Sequence, residues 1–292
     1  MLTLRAGRSL LVLAPEAGGA MLGWSFGGIP LLRRADGRAV VQNDVRGMGC
    51  FPLVPYANRI AEGRFSWGGR TYQLDRNFGD HPHSIHGIGW QRPWTVDAVS
   101  ETEACLTLVH DGDGSDWPFP FVAEQRLVLC PDALRVEMRI TNRHHAAAPA
   151  GLGLHPYFPR PPGAGLRFNA GSVWLNDTTA LPSRLVPVPN AWDHASGITV
   201  GAVTLDNCFN GWDGAAHLDL GTVAVTIEAS AAFGHLQVYT PPDEPFFCVE
   251  PVTHRPDALN GRSGRGMPSL GPGETLAGAV TFRITEPSSA AA

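Results

Sequence analysis

Residues 134–140 read LRVEMRI, with an apolar residue at every even position and a charged residue at every odd position. A period of two is typical of a β-strand with one buried face and one solvated face. The preceding residues 121–130, FVAEQRLVLC, also favour a strand, and Pro131-Asp132 between the two segments predicts a hairpin turn. We therefore expect a pair of antiparallel strands near the middle of the chain.

The same pattern recurs on both sides of this hairpin. Residues 65–74, FSWGGRTYQL, alternate around Gly68-Gly69, which is a strong hairpin signal. Residues 246–249, FFCV, are continuously apolar and predict a strand that is buried on both faces. Helical periodicity is nearly absent, and 34 Gly and 25 Pro interrupt the chain every few residues. These features predict an all-β fold of many antiparallel strands and leave a sandwich and a barrel both open.

The composition excludes several classes of protein. The chain has 292 residues, of which 43% are apolar and 17% charged, so it is able to bury a sizeable core. Its formal net charge of -5 argues against a nucleic-acid-binding protein, which would normally carry a basic patch. All 22 basic residues are Arg. A chain without Lys forms no lysine Schiff base and no Walker A loop.

The cysteines and the apolar runs indicate in which cellular compartment the protein is expected. The five cysteines are odd in number and widely spaced, without a C-x-x-C, which argues against a disulfide framework or a Cys-based zinc site. They favour a reducing compartment, and we expect a cytoplasmic protein. No apolar run approaches the length of a membrane helix. We expect one domain over residues 1–286 and a disordered tail over residues 287–292.

Two segments before residue 90 carry candidate binding residues. Residues 55–60 read PYANRI, in which Asn58 stands beside Arg59, whose planar guanidinium suits two neighbouring oxygens. Residues 80–87 read DHPHSIHG, and such a cluster of His is able to bind a metal, as in the cupins. The Glu that the cupin motif places a few residues later is absent. Two of the three His are therefore interpreted as loop residues, which leaves one for a site without a metal.

Two later segments place an ionisable residue at the end of an apolar strand. Residues 151–158 read GLGLHPYF, in which His155 ends an apolar run and Pro156 keeps the preceding backbone extended. Residues 246–251 read FFCVEP, and Glu250 directly follows four apolar residues. A buried carboxyl group must be paired or protonated, and its raised pKa suits a general base near neutral pH.

In content and order, these motifs resemble the galactose mutarotase (aldose 1-epimerase) family. The likeness extends over about residues 10–285. Each motif alone is weak, but their common order is specific. In chain order they are Gly18-Gly19, NRI at 58–60, the hairpin at 65–74, His86-Gly87, HPYF at 155–158, LDxxF at 205–209, Glu250-Pro251 and PGET at 272–275.

The resemblance implies a large antiparallel β-sandwich that interconverts the α and β anomers of a free aldose without a metal or a cofactor. A pyranose opens when its C1 hydroxyl loses a proton and its ring oxygen gains one, so the reaction needs a base and an acid. The resemblance implies Glu250 as the base and His155 as the general acid. It implies a substrate-binding role for Asn58, Arg59, His86 and Asp206.

We expect a neutral, unphosphorylated aldose as the substrate. A sugar phosphate would call for a cluster of cationic groups, and the basic residues nearest the site motifs are scattered in sequence at Arg33-Arg34, Arg92 and Arg255. No nucleic-acid or membrane partner is expected, and the protein is expected to be a monomer or a homodimer.

Two departures from the better-known galactose-acting members concern the choice of sugar. Where those members have H-G-G followed by D-K, this chain has Ile88 in place of the second Gly and Gln91-Arg92 in place of Asp-Lys. Asp213 also competes with Asp206 for the binding role. Galactose is therefore not assumed as the substrate.

Three alternative functions stay open at this point. A non-catalytic carbohydrate-binding β-sandwich would need polar and aromatic groups but no matched acid and base. A glycosidase would use Glu250 and Asp206 as its two carboxylates. A cupin-like metalloenzyme would use His81, His83 and His86.

Overall fold

The structure is a computed structural model that describes residues 1–112, 114–261 and 266–285, and most of its regular elements are strands. The expected tail at 287–292 lies outside the described residues. One α-helix, α1, spans Gly37–Gln42, and short 3-10 turns span Val45–Gly47, Ala61–Gly63, Gly89–Gln91, Asn190–Trp192 and Ala258–Asn260. In the part of the chain that the structure describes, no helix is long and apolar enough to span a membrane.

The strands are numbered in chain order. They are β1 (Leu2–Ala6), β2 (Ser9–Ala14), β3 (Ala20–Phe26), β4 (Ile29–Pro30), β5 (Cys50–Leu53), β6 (Arg59–Ile60), β7 (Arg64–Trp67), β8 (Arg70–Gln73), β9 (Ser84–Ile85), β10 (Thr95–Val99), β11 (Glu103–His110), β12 (Phe121–Leu129), β13 (Ala133–Asn142), β14 (Ala148–Pro149), β15 (Gly153–Pro159), β16 (Gly165–Phe168), β17 (Ser172–Asn176), β18 (Pro182–Pro187), β19 (Ile198–Thr199), β20 (Asp206–Asn210), β21 (Ala215–Asp219), β22 (Ala224–Ala229), β23 (His235–Tyr239), β24 (Phe246–Val252), β25 (Ser269–Leu270) and β26 (Thr275–Thr285).

Two large antiparallel sheets contain most of these strands. The first sheet has eleven strands in the order β1-β2-β3-β5-β15-β24-β23-β20-β17-β18, with β4 beside β3. The second sheet has nine strands in the order β10-β11-β12-β13-β26-β22-β21-β16-β19. Three two-stranded ribbons join β6 with β9, β7 with β8 and β14 with β25. The predicted all-β class with large antiparallel sheets is confirmed.

Both hairpins that the sequence predicts are present. In the first, β7 pairs with β8, and Trp67 lies opposite Arg70 across the Gly-Gly turn. Both turn glycines have a positive φ, a conformation that side chains with a Cβ rarely adopt. In the second hairpin, β12 pairs with β13, and Leu129 lies opposite Leu134. Local turn chemistry therefore accounts for both connections.

The two large sheets pack face to face, which makes the fold a sandwich. Trp24 of β3 and Phe158 of β15, both in the first sheet, contact Phe282 of β26 in the second sheet, with ring centroids 6.4 and 6.3 Å apart. The buried residues of LRVEMRI belong to the same apolar cluster. Their period of two is therefore explained by one face that meets the opposing sheet.

The first sheet also has a second buried face, which explains the continuous apolar run in β24. Phe247 and Val249 point into the core between the sheets. Cys248 alternates with them and packs in a separate apolar cluster on the opposite face, with Phe51 and Tyr157. Loops cover this outer face, and the candidate site lies beneath them.

Candidate active site

A cleft of about 340 Å³ opens on the outer face of the first sheet. We call it the central cleft. The adjacent strands β5, β15, β24, β23 and β20 pass beneath it. The cleft is lined by all six residues that the sequence analysis singled out, namely Asn58, Arg59, His86, His155, Asp206 and Glu250, together with Arg46, Phe51, Phe78, His81, Ile85, Trp90, Tyr157, Tyr239 and Phe246.

Two loops form one wall of the cleft and are tied to each other through Asn58 and His86. The Asn58 N–H donates to His86 Nδ1 at 3.1 Å, and the His86 N–H donates to the Asn58 carbonyl at 2.9 Å. Both residues have left-handed backbone, with φ values of 58° and 62°. Such strain in residues other than glycine is concentrated at functional sites, where the surrounding structure holds it in place.

The glycine that follows His86 allows this close approach of the two loops. A Cβ on Gly87 would lie 2.3 Å from the Val54 carbonyl oxygen, and the φ of Gly87 is +69°. Any larger residue would push the loops apart. The His-Gly motif is therefore needed for the geometry of the wall.

The contact with Asn58 also determines which nitrogen of His86 carries a proton. Because Nδ1 accepts from a backbone N–H, the proton of the neutral ring lies on Nε2. Burial lowers the pKa of His86 well below its ordinary value, and the neighbouring His155 and Arg59 lower it further. His86 is thus a neutral hydrogen-bond donor at neutral pH.

His155 and Glu250 face each other across neighbouring strands. The register pairs Gly153 with Val252 and Tyr157 with Cys248, which brings His155 and Glu250 side by side. His155 Nε2 lies 3.5 Å from Glu250 Oε1, and the two side chains are 9% and 3% exposed. This separation is longer than a good hydrogen bond. Glu250 Oε2 and His155 Nδ1 are buried without a partner.

Burial keeps both members of this pair close to their neutral forms. It raises the pKa of Glu250 well above its ordinary value, and Asp206 adds to this increase while Arg59 opposes it. Burial also lowers the pKa of His155 to about 3, with a further contribution from Arg33. Desolvation therefore favours the uncharged state of the pair, in which the shared proton lies on Glu250 and not on His155.

Arg59 and Asp206 form a second pair in the cleft. Arg59 Nη2 donates to Asp206 Oδ2 at 2.9 Å, and Gln237 Nε2 donates to Asp206 Oδ1 at 2.8 Å. Both carboxylate oxygens of Asp206 thus have partners. Asp213, the competing candidate, is exposed and accepts from Asn169. It does not line the cleft.

Gln237, which was not predicted from the sequence, contacts Asp206 and neighbours Glu250 in the sheet. Gln237 donates to Asp206 and lies opposite Glu250 in the β23–β24 register. Its Oε1 is buried without a partner. A signal was present, because Gln237 stands between Leu236 and Val238 and so projects from the face opposite these apolar residues.

His254 was also missed, and it supports the loop that carries Arg59. Its Nε2 accepts from the Ala57 N–H at 3.1 Å, and its Nδ1 lies 2.8 Å from the Arg255 carbonyl. The ring is 2% exposed. A lone His in the segment PVTHRP has no periodicity that would reveal this contact.

The His cluster at residues 81–86 does not converge as a metal site. His83 uses both ring nitrogens, since Nδ1 accepts from the Glu62 N–H and Nε2 donates to the Thr179 carbonyl, each at 3.1 Å. His86 Nδ1 is also occupied, by Asn58. His81 lines the central cleft without belonging to a metal-ligating group among the described residues.

A different set of metal-ligating atoms lies beneath the cleft. Within the described ranges, one atom from each of His155, Cys248 and Glu250 lies within 4.8 Å of the other two. Burial raises the pKa of the Cys248 thiol well above its ordinary value, and Glu250 adds to the effect. A protonated thiol is a poor ligand, which makes this set better suited to proton transfer than to metal binding.

Comparison with known proteins places these features in a family. The model of the family described as "Aldose 1-epimerase" matches residues 1–283. The uncharacterized protein YphB of Escherichia coli K12 is 29% identical over 294 residues, which are 94% of this chain and 96% of YphB.

Solved structures are similar over nearly the whole chain. A candidate aldose 1-epimerase from Escherichia coli K12 is 29% identical with a TM-score of 0.87, over 97% of this chain and 98% of that chain. A galactose mutarotase-like protein from Clostridium acetobutylicum is 20% identical with a TM-score of 0.86, over 97% of this chain and 94% of that chain. The second likeness bears on the fold alone.

Proposed function

We propose that this chain, which belongs to the aldose 1-epimerase family, interconverts the α and β anomers of a free aldose by acid–base ring opening and closure. One observation carries the proposal. A buried carboxyl group and a buried imidazole stand 3.5 Å apart in the cleft, and each has an unpartnered polar atom. Ionisable groups that line a cleft and have pKa values shifted by burial are typical of functional sites.

The spacing of Glu250 and His155 suits the two oxygens that exchange a proton. The C1 hydroxyl and the ring oxygen are both bonded to C1, so their acid and base must stand side by side. In ring opening, the Glu250 carboxylate takes the proton of the C1 hydroxyl, and C1 becomes an aldehyde as its bond to the ring oxygen breaks. His155, protonated by transfer of the shared proton from Glu250 before ring opening, gives its proton to that oxygen. Rotation about C1–C2 and the reverse transfers then close the ring on the other face.

This reaction uses the single proton that the pair holds. Ring opening converts a Glu250 carboxylate and a His155 imidazolium into a neutral acid and a neutral imidazole. Burial favours the neutral state of both groups. Desolvation in the cleft therefore disfavours a Glu250 carboxylate beside a His155 imidazolium. It favours the neutral acid and the neutral imidazole that are present once the open-chain aldehyde has formed. His86, a neutral donor beside His155, is placed to hold the ring oxygen.

Arg59 and Asp206 suit the hydroxyl groups that do not react. Their ion pair offers donors and an acceptor to neighbouring hydroxyls, in a geometry that Gln237 holds from below. Contacts of this kind bind the substrate and the transition state alike. These residues are therefore assigned to binding and not to proton transfer.

The charges around the cleft support a neutral sugar. Arg59 is paired with Asp206, and Arg46 at the cleft wall is paired with Asp44. The guanidinium of Arg33 lies 3.8 Å above the ring of Tyr157 and donates to backbone carbonyls. A phosphate dianion needs uncompensated cations, which these paired or covered groups do not supply.

The remaining basic candidates lie elsewhere. Arg92 pairs with Asp116, and Arg255 stacks 4.8 Å from the ring of Trp174. Arg255 also donates to the Pro256 carbonyl at 2.7 Å. Neither residue lines the central cleft.

The alternative functions find less support. A glycosidase would need a second free carboxylate beside Glu250, but both oxygens of Asp206 are engaged. A binding-only protein has no use for a buried acid and base that are left without partners. The cupin-like site lacks convergent His ligands, as described above.

Polarimetry tests the proposal. Freshly dissolved α-anomers of glucose, galactose and other aldoses should equilibrate faster with the purified protein than without it, and EDTA should not change the rate. A protein that binds these sugars without accelerating mutarotation would support the binding-only alternative. Loss of the acceleration with EDTA would support the metal alternative.

We also propose a reducing compartment such as the cytoplasm. All five cysteines are free thiols, and Cys50, Cys208 and Cys248 are buried. Free thiols persist where the surroundings are reducing. Fractionation of cells that express the protein from its own gene tests this assignment.

A further inference from the structure

A second cavity of about 440 Å³ adjoins the central cleft. We call it the side cavity. Arg46, Phe78 and Trp90 line both spaces, so the two are neighbours that share part of their walls. The side cavity is no smaller than the cleft of about 340 Å³ to which a single pyranose is assigned. It is therefore large enough for a second ring.

The order of the strands gives the direction in which a bound sugar would extend. Asp206 lies on β20, at one end of the strands that pass beneath the central cleft, and Phe51 lies on β5 at the other end. Trp90 packs against Phe51 with ring centroids 5.9 Å apart. The side cavity thus lies on the side of the cleft away from the Arg59–Asp206 pair. A group attached to the sugar on the side away from the Arg59–Asp206 pair would point towards the side cavity.

The lining of the side cavity has the chemistry that neutral saccharides require. Amide side chains surround it, among them Gln42, Asn43 and Gln91, which are exposed at its rim. Phe78 and Trp90 supply an aromatic wall, with ring centroids 6.1 Å apart. Aromatic faces with a few convergent polar groups are the usual lining of small-molecule sites.

The charge of the side cavity is also compensated. Arg46 donates to both oxygens of Asp44, from Nε at 2.7 Å and from Nη2 at 2.9 Å. Its guanidinium lies 5.1 Å from the Phe78 ring centroid. This pair offers polar edges at the boundary of the two spaces without a net charge. An anionic extension would gain little here, whereas hydroxyl groups would find both donors and acceptors.

We infer that the preferred substrate is a reducing disaccharide, whose reducing-end ring occupies the central cleft while its second ring occupies the side cavity. This inference rests on the proposed function and names the substrate class of the same site. It also gives a role to Gln91, one of the residues at which the sequence departs from galactose-acting relatives. Gln91 lines the side cavity and does not line the central cleft.

Disaccharides that share glucose as the reducing-end ring isolate the contribution of the second ring. Mutarotation of maltose, cellobiose, isomaltose and lactose is compared with that of glucose by polarimetry. We expect at least one disaccharide to have a kcat/KM about tenfold above that of glucose. Values for all four at or below the glucose value would overturn the inference and leave the proposed function intact. Failure to accelerate any sugar, galactose included, would overturn both.

Two variants test whether the side cavity is responsible. Gln91→Ala removes an amide, and Gln42→Trp fills space at the rim. Each should lower the disaccharide kcat/KM at least threefold and leave the glucose value unchanged. Gln73→Ala is the matched control, because Gln73, like Gln91, is exposed and donates to a backbone carbonyl, but does not line either space. Equal losses for glucose and disaccharide in Gln91→Ala and Gln42→Trp would overturn the inference.

Discussion

The central cleft contains two carboxyl groups that differ in how completely their oxygens are hydrogen-bonded. Asp206 meets Arg59 at 2.9 Å, and Gln237 donates to its other oxygen. Glu250 stands 3.5 Å from His155, and its Oε2 is buried without a partner. Both cationic partners retain one buried nitrogen without a hydrogen bond, Arg59 Nε and His155 Nδ1, so the contrast lies in the carboxyl groups.

This difference indicates different roles for the two carboxyl groups, of which Asp206 holds the substrate and Glu250 exchanges a proton with it. A carboxylate whose oxygens are both engaged keeps its charge and its position. A carboxyl group that is buried and lacks a hydrogen-bond partner is available to exchange a proton with a ligand. Substitutions in the His155–Glu250 pair should therefore affect turnover, and substitutions in the Arg59–Asp206 pair should affect binding.

The largest effect is expected for Glu250→Gln. The substitution keeps the size of the side chain and removes the base, so kcat should fall by about 10²–10⁴-fold. Polarimetry with the preferred aldose measures the loss. A variant that keeps more than half of the wild-type kcat would show that Glu250 is only structural.

The same variant gives a stability readout with a defined sign. The folded state raises the pKa of Glu250, so above its ordinary value of 4.5 the unfolded state loses the proton first, and wild-type stability falls as the pH rises above that value. Gln does not titrate. The Tm of Glu250→Gln should therefore rise relative to that of wild type as the pH increases from 4.5, and no relative rise would contradict the burial argument.

His155→Asn is expected to lower kcat on the order of 10²-fold, since it removes the general acid. His81→Ala should be mild, because His81 lines the cleft but is only half-buried and, within the described ranges, forms no hydrogen bond with Glu250. His217→Asn, on the second sheet, is a remote control. Equal loss in His81→Ala and His155→Asn would contradict the assignment of the acid.

Asp206→Asn is expected to act on binding. It weakens the contact with Arg59 but retains the shape of the side chain, so KM should rise about tenfold while kcat stays within about threefold. Initial rates over a range of sugar concentrations separate the two constants. A fall in kcat as large as that of Glu250→Gln would mean that the two pairs share the proton transfer.

The last prediction concerns acid stability and does not involve substrate. Burial lowers the pKa of His254 to about 4 from 6.5, so the unfolded state binds the proton first and stability falls as the pH drops from 6.5 towards 4. At pH 5 this loss is about 2 kcal/mol. Urea unfolding at pH 7.5 and pH 5.0 should show a pH dependence that is smaller by this amount in His254→Gln. An unchanged dependence would contradict the prediction.

The sequence was sufficient for the strands and for the types of residue in the site. The alternation in LRVEMRI and the Gly-Gly hairpin follow from local chemistry, since side chains alternate across a strand and glycine suits a tight turn. Glu250 was recognisable because a carboxyl group after four apolar residues is unusual. The family resemblance added Asp206 and ordered the motifs along the chain.

The sandwich, as distinct from a barrel, became apparent only from the packing of Trp24 and Phe158 on Phe282. Gln237 and His254 were missed because their partners, Asp206 and Ala57, come from other strands and loops. Contacts of this kind depend on register between segments that are far apart in the chain, which no local pattern encodes.

The sequence by itself determined that this chain forms β-strands and carries a carboxyl group, imidazoles and a guanidinium near strand ends. The tertiary structure decided that they share one cleft, and that both oxygens of Asp206 have partners while Glu250 Oε2 has none. The physical reason is that proton affinity depends on surroundings. Glu250 and His155 owe their shifted pKa values to burial in the cleft on the outer face of the first sheet, and that burial exists only once the strands have paired and the loops have closed over them.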